Sequence, residues 1–103
     1  MALRFVTMAE LDIPTAGTAV QVSASAIPVS TVIFQADPAN TGAVYVGDSA
    51  VAATRGIVLN PGDITSISAD RLGQTGQELR LSDFYVDAAT NGNDVRVSYI
   101  KSR

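Results

Sequence analysis

Two pairs of carboxylates, Asp63 with Asp70 and Asp83 with Asp87, are the residues of this chain whose type and spacing come nearest to chemistry. Held roughly 5–10 Å apart across a cleft, such a pair supplies the acid and the base or nucleophile of glycoside hydrolysis. Each of the four stands beside a turn signal, where an Asp side chain accepts hydrogen bonds from nearby backbone N–H groups. The remaining catalytic repertoire is thin. The chain has no His and no Cys, so it lacks the commonest general base and any thiolate. We expect no catalytic residue and no enzyme.

Loops that bind ions or phosphates fare no better. The stretch "DAATNGNDV" (87–95) gathers Asp87, Asn91, Asn93 and Asp94, a set of oxygens suited to calcium. It lacks the alternate-residue ligand pattern and closing Glu of a calcium loop, and Asn91-Gly92 is a strong hairpin signal. The stretch "PANTGAVYVGDSA" (38–50) has two glycine turns around an apolar run. A phosphate loop needs Lys and Ser or Thr after its second Gly, followed by a helix, whereas here Gly47 precedes Asp48. Both stretches read as chain reversals, with no metal and no cofactor. Tyr45, Tyr85 and Tyr99 would suit a sugar-stacking platform, but Trp is absent and tyrosines on separate strands read more simply as core or interface anchors.

The elements that would position these residues are short strands. Runs rich in β-branched residues recur at 3–8, 18–23, 31–36, 43–46, 57–59, 64–69, 78–81, 84–87 and 95–100, separated by Gly, Pro, Asn and Asp. About eight short strands at this spacing predict an all-β, antiparallel sandwich or barrel. No segment sustains a helical period, although "TMAELD" (7–12) has room for one helical turn. The 103 residues allow one core.

Alternation assigns faces within strands. Val95, Val97 and Tyr99 oppose Arg96, Ser98 and Ile100; Val32, Phe34 and Ala36 oppose Ile33 and Gln35; Val44 and Val46 oppose Tyr45. Ile33, Tyr45 and Ile100 are thus apolar residues on faces that should be wet, and they predict a covered surface. Leu3 and Phe5 join them as candidate interface residues. Residues 1–17 are set apart by holding both Met and by the break at Pro14 to Gly17. They read as an arm onto a neighbour or as an edge strand, ahead of a β-sandwich domain at 18–103. On the arm reading, removal of residues 1–14 leaves the sandwich folded and weakens attachment.

The net charge of −3 is accompanied by scattered cations and no basic stripe, which argues against nucleic acid. Apolar runs fall far short of the ~20 residues that span a bilayer, and the first residues lack a long apolar leader. We expect no membrane partner and synthesis in a cytoplasm.

The order of elements resembles small β-sandwich virion proteins of tailed bacteriophages, of the capsid decoration (cement) or head–tail fibre type. The resemblance is carried by Asp37, Asn40, Gly42, Val44, Tyr45, Val46 and Gly47, then Gly56, Leu59, Pro61 and Gly62, then Leu81, Asp83, Tyr85 and Val86. It spans residues 18–100, and its motifs are structural rather than catalytic. It implies a β-sandwich or jelly roll in the virion that binds the major capsid protein or other virion proteins and stabilises the assembled shell. It also implies a homo-oligomer, a trimer at threefold positions. A neck, tail or head-fibre component is the nearest alternative, and a carbohydrate-binding module the alternative of another class.

Overall fold

The computed structural model describes residues 4–68 and 79–101. Ten strands are laid down in chain order: β1 (Arg4–Thr7), β2 (Leu11–Ile13), β3 (Val20–Gln21), β4 (Pro28–Ala36), β5 (Val44–Gly47), β6 (Ile57–Leu59), β7 (Ile64–Ser68), β8 (Leu79–Arg80), β9 (Tyr85–Ala88) and β10 (Asn93–Lys101). Each apolar run in the sequence holds one of them, though Leu3, Ala69 and Glu78, at the ends of three runs, lie outside the described residues.

The strands form two antiparallel sheets. One has the order β1-β10-β4-β7, with β2 also paired to β10 and β8 to β4; the other has the order β3-β9-β5-β6. β1 and β2 lie one after the other along β10, and β7 and β8 along β4, so each pair acts as one interrupted edge strand. Between these edges the chain crosses from sheet to sheet at nearly every connection, and β5 and β6 form the one sequential hairpin among the described strands. Two four-strand layers woven this way are a jelly roll.

Alternation places the core between the layers. Val32, Phe34, Ala36, Val95 and Val97 face inward from the first sheet, and Val44, Val46, Val86 and Ala88 from the second; all are buried. Phe34 packs against Phe84 with ring centroids 5.6 Å apart and planes tilted by 56°, an arrangement aromatic pairs favour. Tyr99 is also turned inward and buried.

Two local expectations change. "TMAELD" does not form a helical turn, because Leu11–Ile13 is a strand paired with Val95–Asn93. Its Leu-Asp-Ile alternation fits a pleat, and β10 supplies the backbone partners that a lone helical turn lacks. Asn91-Gly92 does turn the chain, with Gly92 at φ +81°, but it does not close a hairpin. β9 already has β3 and β5 beside it, and β10 has β1, β2 and β4. Neither has an edge left for the other, so the turn carries the chain across the sandwich.

Side-chain amides stitch these crossings together. Asn40 Nδ2 donates to Asp94 O and Asn40 Oδ1 accepts from Asp94 N, both at 2.9 Å. Asn93, itself buried, donates to Gly42 O at 3.1 Å and accepts from Thr41 N at 3.2 Å. The loop between β4 and β5 is thereby fastened to the start of β10. Asp63 accepts a backbone N–H of its own turn, as its position predicts, and Asp37 and Asp48 do the same.

Gly56 is fixed by geometry. Its φ is +119°, and a Cβ added there would lie 2.6 Å from Val46 O. Gly56→Ala therefore combines an unfavourable backbone conformation with a clash against a strand carbonyl. The expected loss is about 2 kcal/mol or more, read as a lower urea midpoint at unchanged slope. Gly62→Ala, where φ is +88° and nothing lies within 4 Å, separates the two contributions.

Candidate functional sites on the two outer faces

The register of the first sheet determines which outward residues meet. Phe5 stands opposite Ile100, and Ile100 opposite Thr31. Ile33 is two residues along from Thr31 on the same face, opposite Ser98 on one side and Ser66 on the other. Ile64, opposite Gln35, lies diagonally beyond Ile33. Directly opposed and diagonal neighbours on one face are within side-chain reach. Phe5, Ile100, Ile33 and Ile64 therefore form a diagonal apolar band across β1, β10, β4 and β7. Its ends are bare, with Phe5 60% and Ile64 62% exposed. Thr7, Ser98, Thr31 and Ser66 flank it, and Arg96, opposite Gln35 and diagonal to Ile33, borders it on one side.

Of the residues expected at an interface, the structure brings Phe5, Ile33 and Ile100 together. Tyr45 lies on the outer face of the other sheet, on the opposite side of the molecule, and Leu3 lies outside the described residues. Sequence reasoning missed Ile64. In "ITSIS" both parities carry an isoleucine, so alternation cannot tell which faces out. Pairing with β4 decides it, turning Ile67 toward the core and Ile64 to solvent.

One end of this face is acidic. Glu10, Asp37 and Asp94 can each bring a carboxylate oxygen within 4.8 Å of the others, a set able to hold a cation. Arg96 occupies part of that role: its Nε lies 3.2 Å from Glu10 Oε2 and its Nη2 4.0 Å from Asp37 Oδ2. A hydrogen bond between the two carboxyls raises the Glu10 pKa and lowers that of Asp37, with the Ala39 N–H further favouring the Asp37 anion. Burial raises the pKa of Asp94, aided by Asp12 directly across the sheet. The side chains of "DAATNGNDV" take separate partners: Asp87 accepts from Gly17 N, Asn91 from Ala16 N and Asn93 from Thr41 N, while Asp94 lies with Glu10 and Asp37.

On the second sheet, Tyr45 is opposite Asp87 and Tyr85 is opposite Gly47, so both tyrosines share the outer face. With Tyr99 in the core, the three do not form one platform. Tyr45, Asp87, Ala16, Gly17, Ala52, Ala53, Ala88 and Ala89 line an open hollow of about 510 Å³. Asp83 is exposed in the 3-10 turn ahead of β9, while Asp87 on β9 is buried. Asp63 caps its own turn, and Asp70 lies outside the described residues.

No family model matches the chain, and no curated protein matches its sequence. No helix is long and apolar enough to cross a membrane among the described residues.

Proposed function

We propose that this chain is a non-catalytic structural protein of a bacteriophage virion, a decoration protein that docks on the assembled capsid shell and stabilises it. The observation that carries the reading is the apolar band Phe5–Ile100–Ile33–Ile64 across an outer sheet face, with both of its ends exposed. A stable protein contact removes about 800 Å² per partner from water and concentrates its affinity in a few apolar anchors. The jelly roll is a fold used in viral capsids, although also in lectins and cupins, so fold alone assigns nothing. The resemblance of the sequence to tailed-phage virion proteins supports the reading from the sequence side. A protein that binds only the assembled lattice stabilises it by mass action, with no chemical step.

The partner is the major capsid protein, and the chain is taken to act as a homo-oligomer, a trimer at threefold positions. The test is co-sedimentation of the full chain with capsids of the phage that encodes it. Phe5→Ser combined with Ile64→Ser should lower shell affinity at least about tenfold, since each change removes roughly 1–2 kcal/mol of apolar contact. Both side chains are mostly exposed in the free chain, so its thermal midpoint should hardly move. Unchanged binding by a folded double variant would remove the band from the interface. Copy number separates the neighbouring readings: many copies spread over the shell support decoration, and a single ring supports a neck or tail component. Glycan binding that disappears in Tyr45→Ala and Tyr85→Ala would favour a carbohydrate-binding module.

A further inference from the structure

We propose that the hollow beside Tyr45 is a binding site for an alkylammonium or guanidinium group, with Asp87 as its counter-ion. This inference concerns the opposite face from the apolar band and does not depend on the shell reading.

Asp87 is 2% exposed, although it sits on the outer side of β9. The segment at Ala16–Gly17 covers it: Gly17 N donates to Asp87 Oδ1 at 2.9 Å, and Ala88 N donates to the same oxygen at 2.8 Å. Oδ2 receives no hydrogen bond from any described residue. The ion pairs among the described residues all involve Arg96, and none reaches Asp87. A carboxylate withdrawn from water and satisfied on one oxygen only is costly unless a partner completes it.

The remaining lining says what that partner is. Alanines and a glycine leave room without offering donors, and the Tyr45 ring supplies the one large surface. An aromatic side chain beside a carboxylate suits a cation on an apolar stem, which gains attraction from the ring and a charged hydrogen bond from Asp87. A neutral sugar would satisfy lone pairs but leave the charge uncompensated. The hollow's volume of about 510 Å³ falls in the range of small-ligand sites.

The test is an amide-resolved NMR titration of the full chain with n-butylammonium, with n-butanol as the neutral isostere. A short blocked peptide carrying one Arg, paired with its Gln analogue, forms the second arm. Saturable shifts confined to Ala16, Gly17, Ala53 and Ala88 with the cations, and none with butanol or the Gln peptide, are expected. Equal response to free amine and peptide marks a small-molecule cation site; a clear preference for the Arg peptide marks a partner's side chain as the source. Asp87→Asn should weaken binding at least about tenfold, because a charged hydrogen bond becomes a neutral one. Should that variant fold poorly, Ala53→Leu fills the hollow from its exposed rim without touching Asp87's bonds, and should abolish the shifts. The inference is overturned by equal binding of butanol, by unchanged cation binding in Ala53→Leu, or by methyl glycosides saturating the site where the cations do not.

Discussion

A chain lacking residues 1–13 should fail to fold, giving a flat urea titration and rapid proteolysis where the full chain unfolds cooperatively. Arg4–Thr7 and Leu11–Ile13 pair with the two ends of β10, and Met8 N donates to Val97 O between them. Ile13 is fully buried, accepts the Gly92 N–H through its carbonyl, and lies in the same core as Val95 and Val97. Val6, Met8 and Leu11 pack against that core as well. Losing a buried Ile costs about 2–5 kcal/mol even when the backbone stays, and here one whole edge of the sheet goes with it. A domain of this size has roughly 5–15 kcal/mol in all. β10 would also be left with nine residues of bare hydrogen-bonding edge, an invitation to aggregate. The expectation that removal of residues 1–14 spares the sandwich is therefore replaced, and Ile13 rather than Phe5 is the reason. A truncated chain that unfolds cooperatively at an unchanged midpoint would refute this account of the edge.

Phe34→Ala should be the most damaging single substitution in the sandwich, costing about 3–5 kcal/mol. Phe34 is the bulkiest of the fully buried side chains, stands on the central strand β4, and contacts Phe84, which directly precedes β9. Across the sheet the hole is bordered by Val97 on β10 and Thr65 on β7, short β-branched side chains that cannot reach in to fill it. The thermal midpoint should drop by more than about 10 °C. Ile33→Ala, one residue away, is the control. Its side chain faces outward and is only half-buried, so its effect on the free chain should be far smaller, while it removes the middle of the apolar band. Similar losses at the two positions would mean that β4 is registered differently.

Much of the fold was legible in the sequence because it is local. Turn residues spaced the strands, and Val-x-Val-x-Tyr in β10 or Val-x-Phe-x-Ala in β4 declared an inward parity that pairing then respected. Asp63 beside its turn foretold a cap. The absence of His and Cys, and of a Lys after Gly47, narrowed the chemistry by residue type alone.

What needed the tertiary structure is everything that joins distant strands. Parity says that Ile33, Tyr45 and Ile100 each point away from the core, but sheet membership places the first and third on one side and the second on the other. β7 was ambiguous, with isoleucines in both parities, until pairing with β4 turned Ile64 outward. Asn91-Gly92 signalled a turn correctly, yet β9 and β10 had no free edges for each other, so a hairpin signal became a crossing. Asp87 looked like a loop residue, and only the return of Ala16–Gly17 over β9 buries it. Side-chain alternation is a property of one strand, whereas a face, an edge and a hollow belong to strands brought together across the chain, and the pairing energies that select those neighbours are not written in any one segment.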